Sequence, residues 1–259
     1  MSFARLALRI ATVKALRGRT WAGEMVRDSE IGPIDDAAQD KEIPFVVVYT
    51  DDAEGSVVAT DLFGNDGKQC LVIEIGVTTR MKKTRPVPGQ SPWVLTSTDA
   101  GLEMTIDGIE RQIRLALGAV EDPWSELWRS IVVSIVMRKS QRGASNVGAR
   151  FSGRQVVLDL ALLRDPHPGR PLGPVWTKFL ELCAADADLA PQVPMLTALA
   201  TGGATDWNPL KVVRTAYGLS AERAAALQLA PHPAATEGTV FEAPVLDGTA
   251  SVGDVGELP

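Results

Sequence analysis

The stretch Glu42–Asp52, EIPFVVVYTDD, constrains the fold most, because five apolar or aromatic residues, Phe45–Tyr49, follow one another without a break. A strand with one wet face alternates apolar and polar residues. A continuous run suits an interior strand that is buried on both faces. Pro44 fits its first residue, where no ladder donor is needed. Asp51 and Asp52 then either end the strand in water or, with Glu54, begin a carboxylate site. Adjacent strand residues point to opposite faces, so the two aspartates converge only if the chain turns there. The solvated strand end is the favoured reading.

The elements on either side supply cover for such a strand. Phe3, Leu6, Ile10 and Val13 recur at helical steps, with Arg5, Arg9 and Arg17 largely opposite, and Gly18 stops the helix. EMVRDSEI predicts a short strand, and GPIDDAAQDKEIP a polar connection to the interior strand. SVVATDLF and KQCLVIEIGV flank GNDG and predict a hairpin, since those turn residues tolerate positive φ. In its second strand Leu71, Ile73, Ile75 and Val77 alternate with Glu74 and Gly76, so one face is buried. TRMKKTRPVPGQSPW is a loop with a basic cluster, Arg80, Lys82, Lys83 and Arg85, and with Trp93 at its end.

The clearest helix follows, with Thr98 or Asp99 as N-cap and Leu102, Ile106, Ile109, Ile113 and Leu117 as its apolar stripe. Glu103, Asp107, Glu110, Arg111 and Arg114 make its wet face. Pro123 opens a short helix, PWSELWRS. IVVSIVMR and RFSGRQVVLDLALL predict two strands joined by the polar loop KSQRGASNVGA. The Pro-rich DPHPGRPLGP leads to short helices in VWTKFLELCAA, VPMLTALATG and NPLKVVRTAYGLSAERAAALQLA. The tail beyond Leu229 holds five acids, Glu237, Glu242, Asp247, Asp254 and Glu257, and no Lys or Arg, so it is expected to be disordered when isolated. The fold class is α/β (α+β): a mixed, largely antiparallel sheet flanked by helices. The expected divisions are an α/β domain over 1–185, a helical extension over 186–230 and an acidic tail over 231–259.

The net charge of −6 gives no overall basic field for nucleic acid or an anionic membrane. Cys70 and Cys183 sit in apolar contexts far apart and are expected to be reduced, buried and cytoplasmic. The N-terminal stretch lacks an uninterrupted apolar core, so it is not expected to be a signal peptide, and no run is long enough to span a membrane.

A search for chemistry returns little. The two histidines, His167 and His232, are each flanked by Pro in loops. There is no phosphate loop, no dinucleotide fingerprint and no nucleophile elbow. The basic stretches, including Arg138, Lys139, Arg142, Arg150 and Arg154, lack the interleaved aromatics of single-strand binders. They read as solvated loops or contacts with an acidic protein partner. Trp93, Trp124, Trp128, Trp176 and Trp207 are either core residues or interface anchors.

The order of an N-terminal helix, WAGEMVRDSEIGPID and IPFVVVYTDD resembles the opening of phage tail-terminator (tail-completion) proteins. This is the family of lambda's tail terminator and its relatives in other long-tailed phages and gene transfer agents. Gly23, Val26, Asp28, Ser29, Pro33, Pro44, Val46 to Val48, Tyr49 and Thr50 carry the likeness. GARFSGRQVVLDL, RDPHPG and PVWTKFL continue it to about residue 185.

The resemblance implies a structural virion protein and no enzyme, with no cofactor or metal. It implies a homohexameric ring at the tail-neck junction, assembled in the host cytoplasm, that caps the tail tube, ends its polymerisation and joins the tail to the head. Its implied partners are the ring's own subunits, the tail tube protein and a head-completion or connector protein. No membrane or specific nucleic acid is implied, although the genome can pass through the ring. Asp51, Asp52, Arg80, Lys82, Lys83, Arg85 and Trp93 are the candidates for subunit or tail-tube contacts. The alternatives are another neck component, such as a head-closure or tail-completion adaptor, and a metal-dependent hydrolase using Asp51, Asp52 and Glu54.

Overall fold

The structure, a computed structural model, describes residues 2–29, 43–54, 68–78, 84–89, 94–95, 98–145, 151–203 and 208–229. Helix α1 (Phe3–Leu16) leads into strand β1 (Val26–Asp28), β2 (Phe45–Glu54) and β3 (Lys68–Thr78). Helices α2 (Asp99–Leu117) and α3 (Pro123–Ile131) precede β4 (Val132–Ser145) and β5 (Phe151–Leu162). Helices α4 (Pro174–Ala185), α5 (Val193–Thr201) and α6 (Pro209–Tyr217) complete a first compact unit, Met1–Gly218. The second unit, Leu219–Pro259, contains α7 (Ala221–Ala226).

The strands form one mixed sheet in the order β1-β2-β3-β5-β4, in which only the β1–β2 pair is parallel. The fold is therefore α+β with a largely antiparallel sheet. β2 lies inside it, between β1 and β3, and Phe45, Val46, Val47 and Val48 are all buried. One face of the sheet carries Leu71, Ile73 and Ile75 of β3 beside Val156, Leu158 and Leu160 of β5, all buried in the main core. Fully burying such a side chain contributes about 1.5–3 kcal/mol, more than any exposed ion pair in the molecule. This row therefore holds the helices to the sheet.

Helix α1 is buried on more sides than its stripe of large residues predicts. Ala4, Ala7, Leu8, Ala11, Ala15 and Leu16 join Phe3, Ile10 and Val13 in the core, while Leu6 is only half-buried. Alanines read as neutral in an amphipathic pattern, but their small side chains let neighbouring elements approach closely. Gly18, at φ 68°, ends the helix in a conformation that a Cβ disfavours. Phe3 then stacks edge-on against Trp176 and Phe179 of α4, with ring centroids 5.6 Å away in each case. Trp128 and Trp176 are core residues and Trp124 packs against the core, whereas Trp93 and Trp207 lie outside the described residues.

Two expectations change. The strand β4 runs on through RKSQRGAS, residues 138–145, so most of the expected polar loop between the last two strands is ladder. The partner of β3 is β2, with Glu54 opposite Lys68, and the expected strand SVVATDLF falls outside the described residues. Within the expected helical extension, Leu196 and Ala200 of α5 are buried in the main core, and the first unit continues to Gly218. The acidic tail, 231–259, lies outside the described residues, as does His232. No helix among the described residues is long and apolar enough to cross a membrane.

Candidate interaction surface

The ladder between β2 and β3 is regular as far as Thr50 opposite Leu71 and resumes at Ala53 opposite Gln69. Asp51 and Asp52 therefore share a single opposite position, which defines a β-bulge. This corrects the expectation that β2 ends in water at the aspartates: the strand passes through them to Glu54, and the bulge supplies the turn that brings both carboxylates to one cavity. Arg5 of α1 holds the bulge from behind, donating from Nη2 to the carbonyl oxygens of Thr50, at 2.7 Å, and Asp51.

The cavity has a volume of about 370 Å³ and crosses four strands on the sheet face away from Leu71 and Ile73. Asp51, Asp52 and Glu54 come from β2, Lys68, Cys70 and Val72 from β3, Gln155, Val157 and Asp159 from β5, and Lys139 from β4. Asp51, Asp52 and Glu54 are exposed. Cys70 is half-buried rather than buried, and burial, followed by Asp159, Asp51 and Asp52, pushes its thiol above the usual range. Cys183 is a buried core residue whose thiol is pushed up to about 12 by burial and then by Asp186. Both are free thiols, and neither has the lowered pKa of a reactive nucleophile.

Beside the cavity a polar triangle ties three strands. Tyr49 Oη donates to Glu74 Oε1 at 2.8 Å, and Gln155 Nε2 reaches Glu74 Oε1 at 2.9 Å and Tyr49 Oη at 3.0 Å. Burial, then the hydrogen bond and charge of Glu74, raise the Tyr49 phenol well above its ordinary value. It stays protonated and acts as a donor. Glu74 is thus committed to the sheet.

The expected wet face of α2 is largely occupied. Arg154 of β5 pairs with Glu103 at 2.9 Å, Asp107 and Glu110 at 3.2 Å, while Arg114 pairs with Glu110 at 2.6 Å. Glu110 is only 5% exposed. Burial alone would raise its pKa, but the hydrogen bonds and charges of Arg114 and Arg154 outweigh it and hold the carboxyl below its ordinary range. Arg154, expected to be a loop cation, is the centre of an internal network.

Of the expected contact residues, the structure brings together Asp51 and Asp52, with Glu54 of the hydrolase alternative lining the same cavity. Arg85 is exposed and lines no part of the cavity; its backbone N donates to the Trp21 carbonyl. Arg80, Lys82, Lys83 and Trp93 lie outside the described residues. His167 is half-buried in the Pro-rich loop, with Nδ1 2.9 Å from the Pro168 carbonyl oxygen. Among the described residues, no group of three or more His, Cys, Asp or Glu side chains is placed to hold a metal ion.

Sequence reasoning missed the most exposed surface of the sheet, the free edge of β4. Every residue from Val133 to Arg142 is exposed, including Val133 at 66% and Ile135 at 54%. IVVSIVMR is the expected strand itself, but its apolar run does not reveal that the strand lies at an edge. No family model matches the chain, and no curated protein matches it.

Proposed function

We propose that this protein is a structural ring subunit of the tail-terminator kind: a hexamer that caps the finished tail tube, ends its polymerisation and offers the surface to which the head joins. The observation that carries this reading is the ordered run Gly23, Val26, Asp28, Ser29, Pro44 and Val46 to Thr50, which resembles that family. The fold makes one unit of these residues, since Val26–Asp28 pair in parallel with Val46–Val48 and the Ser29 N–H donates to the Val48 carbonyl at 2.9 Å. An α+β subunit with one mixed sheet and helices against it is what the resemblance implies. A sheet edge with exposed apolar side chains also suits a part built to sit beside another protein.

The test is electron microscopy of particles assembled with and without this protein. Overlong tails that fail to join heads are expected in its absence. Tails of normal length joined to heads would overturn the reading. The same images locate the ring, and a ring away from the tube end would favour another neck component. The hydrolase reading rests on Asp51, Asp52 and Glu54 around one cavity. A rise in melting temperature with a divalent cation would favour it.

A further inference from the structure

We infer that the β4 edge of one copy docks head to tail on the acidic β2 bulge of the next. This inference rests on the ring reading for its biological setting, while its evidence is the sheet itself. Its two sides differ in charge and in cover. At one side β4 exposes Val133, Ile135, Val136 and Met137 and then Arg138, Lys139 and Arg142. Toward the other side the bulge exposes Asp51, Asp52 and Glu54.

Edge strands that face water are usually blunted by charge, bulges or short length. Here β4 is 14 residues long, and its first exposed stretch is apolar. The bulges between Val132 and Ser134 and between Ile135 and Met137 bend that stretch, and the charges begin only after it. Two of these cations already meet acids of their own subunit, since Lys139 lines the same cavity as Asp51, Asp52 and Glu54 and Arg142 pairs with Glu103 at 3.0 Å, which leaves Arg138 as the unspent cation of the edge. β2 and β4 are separated by β3 and β5, so they lie about 14 Å apart at the usual strand spacing. The cavity sets Asp51, Asp52, Glu54 and Asp159 against Lys68 and Lys139, which leaves an excess of negative charge for a cation from outside.

Charge also selects the kind of contact. Pairing two copies of β4 along their length would bring both sets of Arg138, Lys139 and Arg142 together. Pairing β4 with the bulge sets cations against carboxylates. The second contact uses different surfaces on the two partners, so it propagates and closes into a ring when its rotation allows.

Light scattering on the full chain tests this. The wild type is expected to run at a multiple of its 27.6 kDa mass. Arg138→Glu with Lys139→Glu, and separately Asp51→Lys with Asp52→Lys, are each expected to raise the dissociation constant at least about tenfold. Mixed in equal amounts, the two variants offer each other opposite charges at both contacts and are expected to regain the wild-type mass as alternating chains. The chain carrying all four changes is expected to regain the wild-type mass, which separates lost contact from lost folding. A wild type that stays monomeric at every concentration, a variant that keeps the wild-type mass, or a mixture that stays monomeric would each overturn the inference. Rings that form through these edges but leave tail length unaltered would overturn the functional reading and leave the interface standing.

Discussion

Asp165 receives three hydrogen bonds from the start of a helix about 160 residues away. Ser2 Oγ and the Ala4 N–H donate to Oδ1, both at 2.7 Å, and the Phe3 N–H donates to Oδ2 at 2.8 Å. A carboxylate there satisfies orphan donors and meets the positive end of the helix dipole. Asp165→Ala is expected to cost about 1–2 kcal/mol and Asp165→Asn less, read from thermal unfolding. No local pattern announces a cap supplied from so distant a residue. The Thr98 cap was legible because its partner, the Gly101 N–H, is three residues away.

Glu110 gives a second test at this scale. Its folded pKa lies below the unfolded value of about 4.3, so its contribution is present above that pH and is lost as the pH falls through the lowered value. Glu110→Gln is expected to cost about 1–3 kcal/mol near neutrality. The difference from wild type should shrink in acid. Denaturant midpoints measured across pH would check it, and a constant difference would count against the ion pairs. In the sequence Glu110 looked like another helix-surface acid, because a cation arriving from β5 leaves no trace in helical spacing.

At the scale of elements, β2 and β3 interlock through Phe45 and Gly76, which stand opposite each other. A Cβ at Gly76 would lie 2.2 Å from Phe45 Cζ, and Phe45 is fully buried and has no room to retreat. Gly76→Ala is expected to destabilise by about 1–3 kcal/mol through overpacking. Adding Phe45→Leu should recover part of the loss, an interaction that chemical denaturation of the single and double variants would show. The interior character of β2 was legible in its unbroken apolar run, as were α2 and its stripe. The bulge at Asp51 and Asp52 was not, because a one-residue insertion in a ladder depends on the partner strand. The length of β4 was hidden for a similar reason: RKSQRGAS is polar enough to look like a loop, and only pairing with β5 makes it a strand.

For the molecule as a whole, the opposed charges on the two sides of the sheet predict a salt response. Raising ionic strength from about 0.05 M to about 1 M shortens the screening length from roughly 14 Å to about 3 Å. Association should weaken across that range, as seen in the average mass by light scattering. It should not vanish, because Val133, Ile135, Val136 and Met137 bury apolar area that salt does not weaken. A mass that rises with salt would point to an interface dominated by those apolar residues alone.

The open β4 edge also sets a schedule for the protein. On the interface proposed above, newly made copies expose an unpaired strand from the moment they fold. The order in which the parts of an assembly are synthesised, and how many copies are present at once, then decide whether that edge finds its proper neighbour or a wrong one. Supply and timing thereby become part of how such a chain stays useful.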